Sequence, residues 1–259
     1  MANQHVYKAQ CNGNDFVIIF SNDLVIDLSK STIQQLCNRE KGVGSDGLLL
    51  IDQSVDGYDF KMDYFNNDGS WETMCANGAL CTIKLLLSKH HLFTDSLFLA
   101  GDGDHGIRIE DQKIYIRMKP PSLKTEDMDI QGNIGAHVDS GAKHFVMQSD
   151  ITDIDQIYKI AQIIRYDDSF APNGLNVNLL RIDHKAQIQV ITYEKGIEQV
   201  MQSCGSGSVA AAFYASTKTK MESPLTIINR GGEMELQFDE MWSDVWLRSN
   251  PTLEFEVEI

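Results

Sequence analysis

One cysteine-bearing segment occurs twice in this chain. The first copy runs Tyr64-Phe-Asn-Asn-Asp-Gly-Ser-Trp-Glu-Thr-Met-Cys75-Ala-Asn-Gly78 and the second Tyr193-Glu-Lys-Gly-Ile-Glu-Gln-Val-Met-Gln-Ser-Cys204-Gly-Ser-Gly207. In each, a tyrosine stands eleven residues before the cysteine and a glycine three after it, and the cysteines lie 129 residues apart in a chain of 259. The likeness continues downstream. Gly101 follows Cys75 by 26 residues and Gly231-Gly232 begin 27 after Cys204, each ahead of a short alternating segment. A repeat of half the chain length points to two copies of one folding unit. A duplicated fold of this kind can bring two thiols together across a pseudo-two-fold axis. That arrangement suits chemistry needing a base on one face of a carbon and an acid on the other.

The composition agrees with two domains. At 42% hydrophobic the chain can bury a substantial core. The boundaries read from sequence are residues 1–119, with the tail 250–259 returning to that half, and residues 120–249. Net charge is −15 with no basic cluster, which argues against a nucleic-acid partner. Met1–Gln10 lacks the basic and apolar regions of a signal peptide, and no apolar run approaches a membrane span. The five cysteines, an odd number, form no small-domain disulfide framework. The expectation is a reduced cytoplasmic protein with no membrane partner.

Alternating apolar positions predict strands at Phe16–Phe20, Leu48–Ile51, Phe60–Phe65, Leu97–Ala100, Ile107–Glu110 and Ile114–Met118. Pro120-Pro121 and the polar run to Asp129 mark the junction. The second half repeats the rhythm at Ala136–Asp139, Phe145–Met147, Asn176–Leu180, Ile188–Tyr193, Leu225–Ile228, Met234–Phe238 and Val245–Leu247, and the tail Leu253–Ile259 alternates again. Helix-spaced apolar residues fall in Ser29–Cys37 and Asp153–Ile164. Two further helices follow the cysteines, Ala76–Leu87 and Gly205–Ser216, and the second is small and apolar nearly all round, which marks it as buried. The fold class is therefore α+β, each half a set of strands wrapped around one central helix.

A cysteine at a helix start sits beside backbone N–H groups that have no partner within the helix. These groups and the helix dipole make an anion site suited to a carboxylate, and the dipole is expected to lower the thiol pKa. Two such starts facing one another would hold an α-carboxylate while one thiolate removes the α-proton and the other thiol donates to the opposite face. The result is inversion at carbon. No Gly-rich dinucleotide fingerprint or phosphate loop is present, no C-x-x-C pair suggests zinc, and nothing points to a pyridoxal lysine. Neither cofactor nor metal is expected. Cys37 and Cys81 read as core residues, and Cys11, beside the Asn12-Gly-Asn-Asp15 turn, is ambiguous.

These motifs resemble those of the diaminopimelate epimerase family. The resemblance rests on Gly13-Asn14-Asp15-Phe16, Gly42-Val-Gly-Ser-Asp46, Phe65-Asn66-Asn-Asp-Gly-Ser70, Cys75-Ala-Asn-Gly78, Asn176-Val-Asn178, Tyr193-Glu-Lys-Gly196 and Cys204-Gly-Ser-Gly207, in that order along nearly the whole chain. It implies two pseudo-symmetric domains, each a strand barrel or sheet around a central helix, with the site in the cleft between them. It also implies a cofactor-independent isomerase of a small-molecule amino acid, LL-diaminopimelate to the meso form, and a homodimer. Cys75 and Cys204 resemble the acid/base thiols. Asn77, Gly205 and Ser206 resemble the groups that hold the reacting carboxylate, and Ala76 keeps an N–H there. Asn14, Asn66, Asn176 and Glu194 resemble polar substrate contacts, several at the non-reacting end.

Four departures stand out. Ala76 and Leu80 replace a common glycine and arginine of the first cysteine motif. Lys195 replaces the arginine of Tyr-Glu-Arg-Gly and offers charge without the bidentate fork. Gly141-Ala142-Lys143-His144 stands where Gly-Asn-Pro-His is usual. Gly47 stands where some members have glutamine. Two other functions therefore stay open at the level of sequence: a racemase of proline, hydroxyproline or histidine type on the same fold, and a non-catalytic ligand-binding or redox protein.

Overall fold

The computed structural model describes residues 3–91, 93 and 96–259. Met1 and Ala2, part of the segment read for a leader, lie outside the described residues. The chain divides into two compact units: one of residues up to Ile116 together with Arg248–Ile259, the other of Arg117–Leu247.

In the first unit the strands follow the alternating segments. His5–Cys11 pairs antiparallel with Asn14–Phe20, which runs parallel to Gly47–Asp52. Gly47–Asp52 pairs antiparallel with Phe60–Asn66, which runs parallel to Leu97–Ala100, and that strand turns back into Gly103–Glu110. Thr252–Glu258 pairs with the outer side of His5–Cys11. Each parallel step is made by a helix. Helix α1 (Lys30–Cys37), capped by Ser29 through Thr32 N–H, joins the first pair, and helix α2 (Ala76–Ser88) joins the second.

The second unit repeats this order. Asn133–Asp139 and Lys143–Gln148 are antiparallel, Lys143–Gln148 and Asn176–His184 parallel, Asn176–His184 and Gln187–Glu194 antiparallel. Leu225–Asn229 then lies parallel to Gln187–Glu194 and antiparallel to Gly232–Phe238. Helix α3 (Ile154–Arg165), capped by Asp153, makes the first crossover and helix α4 (Gly205–Lys218) the second. The α+β class and the central helices read from sequence are what the structure has.

The two helices of each unit cover opposite faces of its sheet. Helix α1 packs Ile33 and Leu36 against Val17, Ile19 and Leu48, and α3 packs Ile157, Ala161 and Ile164 against Phe145, Val177 and Leu179. Helix α2 buries ten of its thirteen residues. Helix α4 buries Gly205 and Gly207 through Ala212 as well as Tyr214 and Ala215. Strands covered on both faces need apolar residues at successive positions, which is why Phe16 to Ile19 are all fully buried. Small residues let α4 sit close to the strands. The sequence reading did not include the strand His5–Cys11, nor the short strands Ser122–Leu123 and Met128–Ile130, which lie within the polar run after Pro121.

Candidate active site

Cys75 and Cys204 are the N-caps of α2 and α4. The first i→i−4 bonds of these helices are Ala79 N–H to Cys75 C=O and Ser208 N–H to Cys204 C=O, both 2.9 Å. The N–H groups of Ala76, Asn77 and Gly78, and of Gly205, Ser206 and Gly207, thus precede the helical ladder, where the dipole is positive.

Around Cys75 the structure brings Asn14 and Asn77 together. Asn14 Oδ1 accepts from Asn77 Nδ2 at 3.2 Å and lies 3.8 Å from Cys75 Sγ, which donates to it. Asn14 Nδ2 donates to Asp46 Oδ2 at 2.9 Å, which turns its carbonyl oxygen toward the cysteine. Asp46 belongs to an ionic cluster that sequence reasoning missed. Lys8, 4% exposed, and Arg39 both grip Asp15, and Arg39 also bonds Asp46 at 2.7 Å. Burial pushes the Asp15 carboxyl up, but hydrogen bonds and charge from Arg39 and Lys8 outweigh it and hold the carboxyl at about 2. A lysine inside the strand His5–Cys11 was the available signal, because a buried ammonium needs an anion. Asn66 has its own anchors: Tyr64 Oη donates to its Oδ1 at 2.8 Å and its Nδ2 donates to Ser70 Oγ at 3.1 Å. Gly47 faces Asn66 across the ladder, and a Cβ there would meet the Phe65 carbonyl at 2.6 Å, so no side chain fits. Leu80 is fully buried, a place where arginine's charge would be costly.

Around Cys204 the partners are a backbone N–H and a hydroxyl. Gly207 N–H reaches its sulfur at 3.4 Å and Ser206 Oγ lies 3.5 Å away. The sequence reading expected a depressed thiol. The structure corrects this: burial pushes the Cys204 thiol up to about 11 and the Glu194 carboxylate adds to the push. Ser206 and the Gly207 N–H oppose both without prevailing, so desolvation outweighs the helix start. Cys204 itself is half-buried. Asn176 Oδ1 accepts from the Lys195 N–H at 2.8 Å. Lys195 and Lys143 are exposed. His144, Asn178 and Thr192, all buried, form a chain ending on Ser206. Their signal was polar residues inside apolar strand runs, as in Val177-Asn178-Leu179. Cys11 is fully buried, and burial pushes its thiol up to about 11 despite Ser249, so it is a core residue. None of the five cysteines forms a disulfide.

Among the described residues no group of three or more His, Cys, Asp or Glu is placed to hold a metal ion. No helix among them is long and apolar enough to cross a membrane.

The diaminopimelate epimerase family profile matches residues 6–123. The chain is 34% identical to the diaminopimelate epimerase of Flavobacterium psychrophilum, covering 98% of this chain and 99% of the relative. It is 31% identical to that of Aquifex aeolicus, over 96% and 95% of the two chains. The chain belongs to the diaminopimelate epimerase family. Solved structures agree on the fold. A phenazine biosynthesis protein of the PhzF family from Bacillus anthracis superposes with a TM-score of 0.73 at 14% identity, covering 100% of this chain and 99% of that one. A probable proline racemase from Agrobacterium radiobacter does so at 0.74 and 12%, covering 99% and 92%.

Proposed function

We propose that this protein interconverts LL-diaminopimelate and meso-diaminopimelate without a cofactor, with Cys75 and Cys204 exchanging the α-proton from opposite faces. The observation that carries this reading is the matched pair of cysteine N-caps, each on a buried helix whose first N–H groups precede the ladder. Such groups suit the α-carboxylate and stabilise the negative charge that grows there as the α-proton leaves. One thiol gives up its proton to the carbon while the other sulfur takes one, so the pair is reset by exchange with water after each turnover. Asn14 accepts from both the Cys75 thiol and Asn77, and Ser206 and the Gly207 N–H stand beside the Cys204 sulfur. Asn66, Asn176, Glu194 and Lys195 are assigned to the second amino-acid end, Lys195 supplying the positive charge for its carboxylate.

Proton NMR of the reduced protein with LL-diaminopimelate in deuterated water tests this directly. The α-proton signal is expected to vanish as the meso isomer forms. Exchange on another amino acid instead would move the protein to a racemase of different specificity. Binding of an amino acid without exchange would make it a ligand-binding protein. Lys195→Ala is expected to raise KM for the dicarboxylate at least about tenfold, the worth of a charged contact, and to leave any single-headed amino acid nearly unaffected.

The working form proposed is a homodimer in a reducing cytoplasm. The terminal strand presents Leu253, Phe255, Val257 and Ile259 at 36–50% exposure, an apolar stripe on a strand end that a second copy would cover. Light scattering on a size-exclusion column should give twice the chain mass, and Phe255→Asp should halve it.

A further inference from the structure

We infer that Asn178 is a positioning residue for Cys204: it dictates which nitrogen of His144 carries the proton, and that choice turns the Ser206 hydroxyl toward the sulfur as a donor. The inference rests on the reading of Cys204 as an acid/base thiol and concerns how its proton is held.

The chain of bonds can be oriented from its one unambiguous end. The Phe145 carbonyl can only accept, and it lies 3.4 Å from the Asn178 amide nitrogen. That atom is therefore the NH2 group, and Asn178 Oδ1 faces Thr192, whose hydroxyl donates to it at 2.8 Å. The second hydrogen of the same NH2 group points at His144 Nδ1, 2.9 Å away. A nitrogen that receives a hydrogen bond carries no proton of its own. Burial, with a smaller push from His137, holds the fully buried His144 ring far below the usual range, at about 3, so the ring is neutral. Its single proton then sits on Nε2. Nε2 lies 3.1 Å from Ser206 Oγ and donates to it. With that lone pair occupied, the serine hydrogen is directed elsewhere, and Cys204 Sγ is 3.5 Å away. The Ser206 backbone is pinned as well, by the Ser140 hydroxyl on its carbonyl at 2.8 Å. A Cβ at Gly207 would meet Asn178 Oδ1 at 2.4 Å, Thr192 Oγ1 at 2.9 Å and Cys204 Sγ at 3.3 Å. The amide, the hydroxyl and the sulfur thus converge on one point that glycine alone leaves open.

Each link in this chain is directional, and the direction is set by groups that touch no substrate. Reversing one link reverses those beyond it. With an acceptor at position 178, the His144 proton moves to Nδ1, Nε2 becomes an acceptor, and the Ser206 hydroxyl turns to His144 and away from the sulfur.

Two measurements test this without substrate, so they stand apart from the epimerase reading. Nitrogen NMR of isotope-labelled wild-type protein should show His144 with a protonated Nε2 and a bare Nδ1; a protonated Nδ1 overturns the inference, and no variant is needed. The second is a double-mutant cycle of Asn178→Asp and Ser206→Ala, read as the alkylation rate of Cys204 at neutral pH with Cys75 as internal control. Ser206→Ala alone should slow Cys204 about tenfold, the worth of one hydrogen bond to a charged group. In the Asn178→Asp background it should change the rate less than twofold, and the charge added by aspartate cancels in the cycle. Equal effects in both backgrounds would show that residue 178 does not act through the serine. A cycle that couples as expected in a protein that exchanges no α-proton would leave the chain intact and remove the epimerase reading alone.

Discussion

The helix starts at Cys75 and Cys204 share a backbone and differ in what their sulfurs meet. Cys75 has φ −132° and ψ 114°, Cys204 φ −142° and ψ 116°, and each leads into a buried helix that bridges two parallel strands. At Cys75 an acceptor is turned toward the sulfur, the Asn14 carbonyl, backed by the ionic cluster of Lys8, Arg39, Asp15 and Asp46. At Cys204 the Gly207 N–H donates to the sulfur and Ser206 Oγ stands beside it, backed by the neutral side chains of His144 and Asn178, with the Glu194 carboxylate near enough to push the thiol up. An acceptor favours an S–H bond and donors favour a sulfur with lone pairs to offer. The repeat therefore fixes where the sulfur sits, and the side chains behind it set what its proton does. The proposed exchange, with opposite duties for the two thiols, needs that separation of roles.

Removing either sulfur should have the largest effect. Cys75→Ser and Cys204→Ser should each lower epimerisation by at least about a thousandfold, since a hydroxyl is a far weaker base. Product formation and α-proton exchange, followed together by NMR, check this; a serine variant that keeps full exchange would break the pairing of the two sites. The matched glycines come next. Gly207→Ala forces a Cβ to 2.4 Å from a buried amide oxygen, whereas at Gly78 the closest atom is the flexible Leu49 Cδ2 at 2.9 Å. Gly207→Ala should cost about 3 kcal/mol of stability and Gly78→Ala about 1, measured by urea unfolding. Equal costs would erase the contrast.

The ionic cluster gives the Cys75 side its own pH dependence. Asp15 titrates at about 2, below its ordinary 3.8. Its stabilisation, about 2 kcal/mol, is present above the ordinary value and lost as pH falls from about 4 towards 2. Asp15→Asn should be less stable by that amount at neutral pH and show a shallower acid slope, as thermal unfolding across that range would reveal. On the other side, Glu194→Gln removes a carboxylate that holds the Cys204 thiol up. The smallest effect expected is a several-fold faster alkylation of Cys204 at neutral pH, with Cys75 unchanged; a slower rate would reverse the sign assigned to Glu194.

Much of the fold was legible because burial on both faces leaves a mark in sequence. Phe16 to Ile19 read as a strand and are one, and the small-residue run after Cys204 read as a buried helix and is one. The strand His5–Cys11 escaped because Lys8 interrupts its apolar pattern, and only the tertiary partner Asp15 makes a lysine tolerable there. Ser122–Leu123 and Met128–Ile130 are too short to show a period. The cysteines announced themselves by the glycines and serines that follow them. Their surroundings did not, because Asn14 lies 61 residues from Cys75 and His144 lies 62 from Ser206 along the chain. The raised Cys204 thiol was illegible for the same reason: desolvation belongs to the packed molecule, and the helix start belongs to the local sequence.

Thr252–Glu258 lies against His5–Cys11, and Gln4 and Ile259 exchange backbone hydrogen bonds of 2.8 and 2.9 Å. Thr252–Glu258 is synthesised after the whole of residues 117–247, so one side of His5–Cys11 waits for its backbone partner while more than a hundred intervening residues are made.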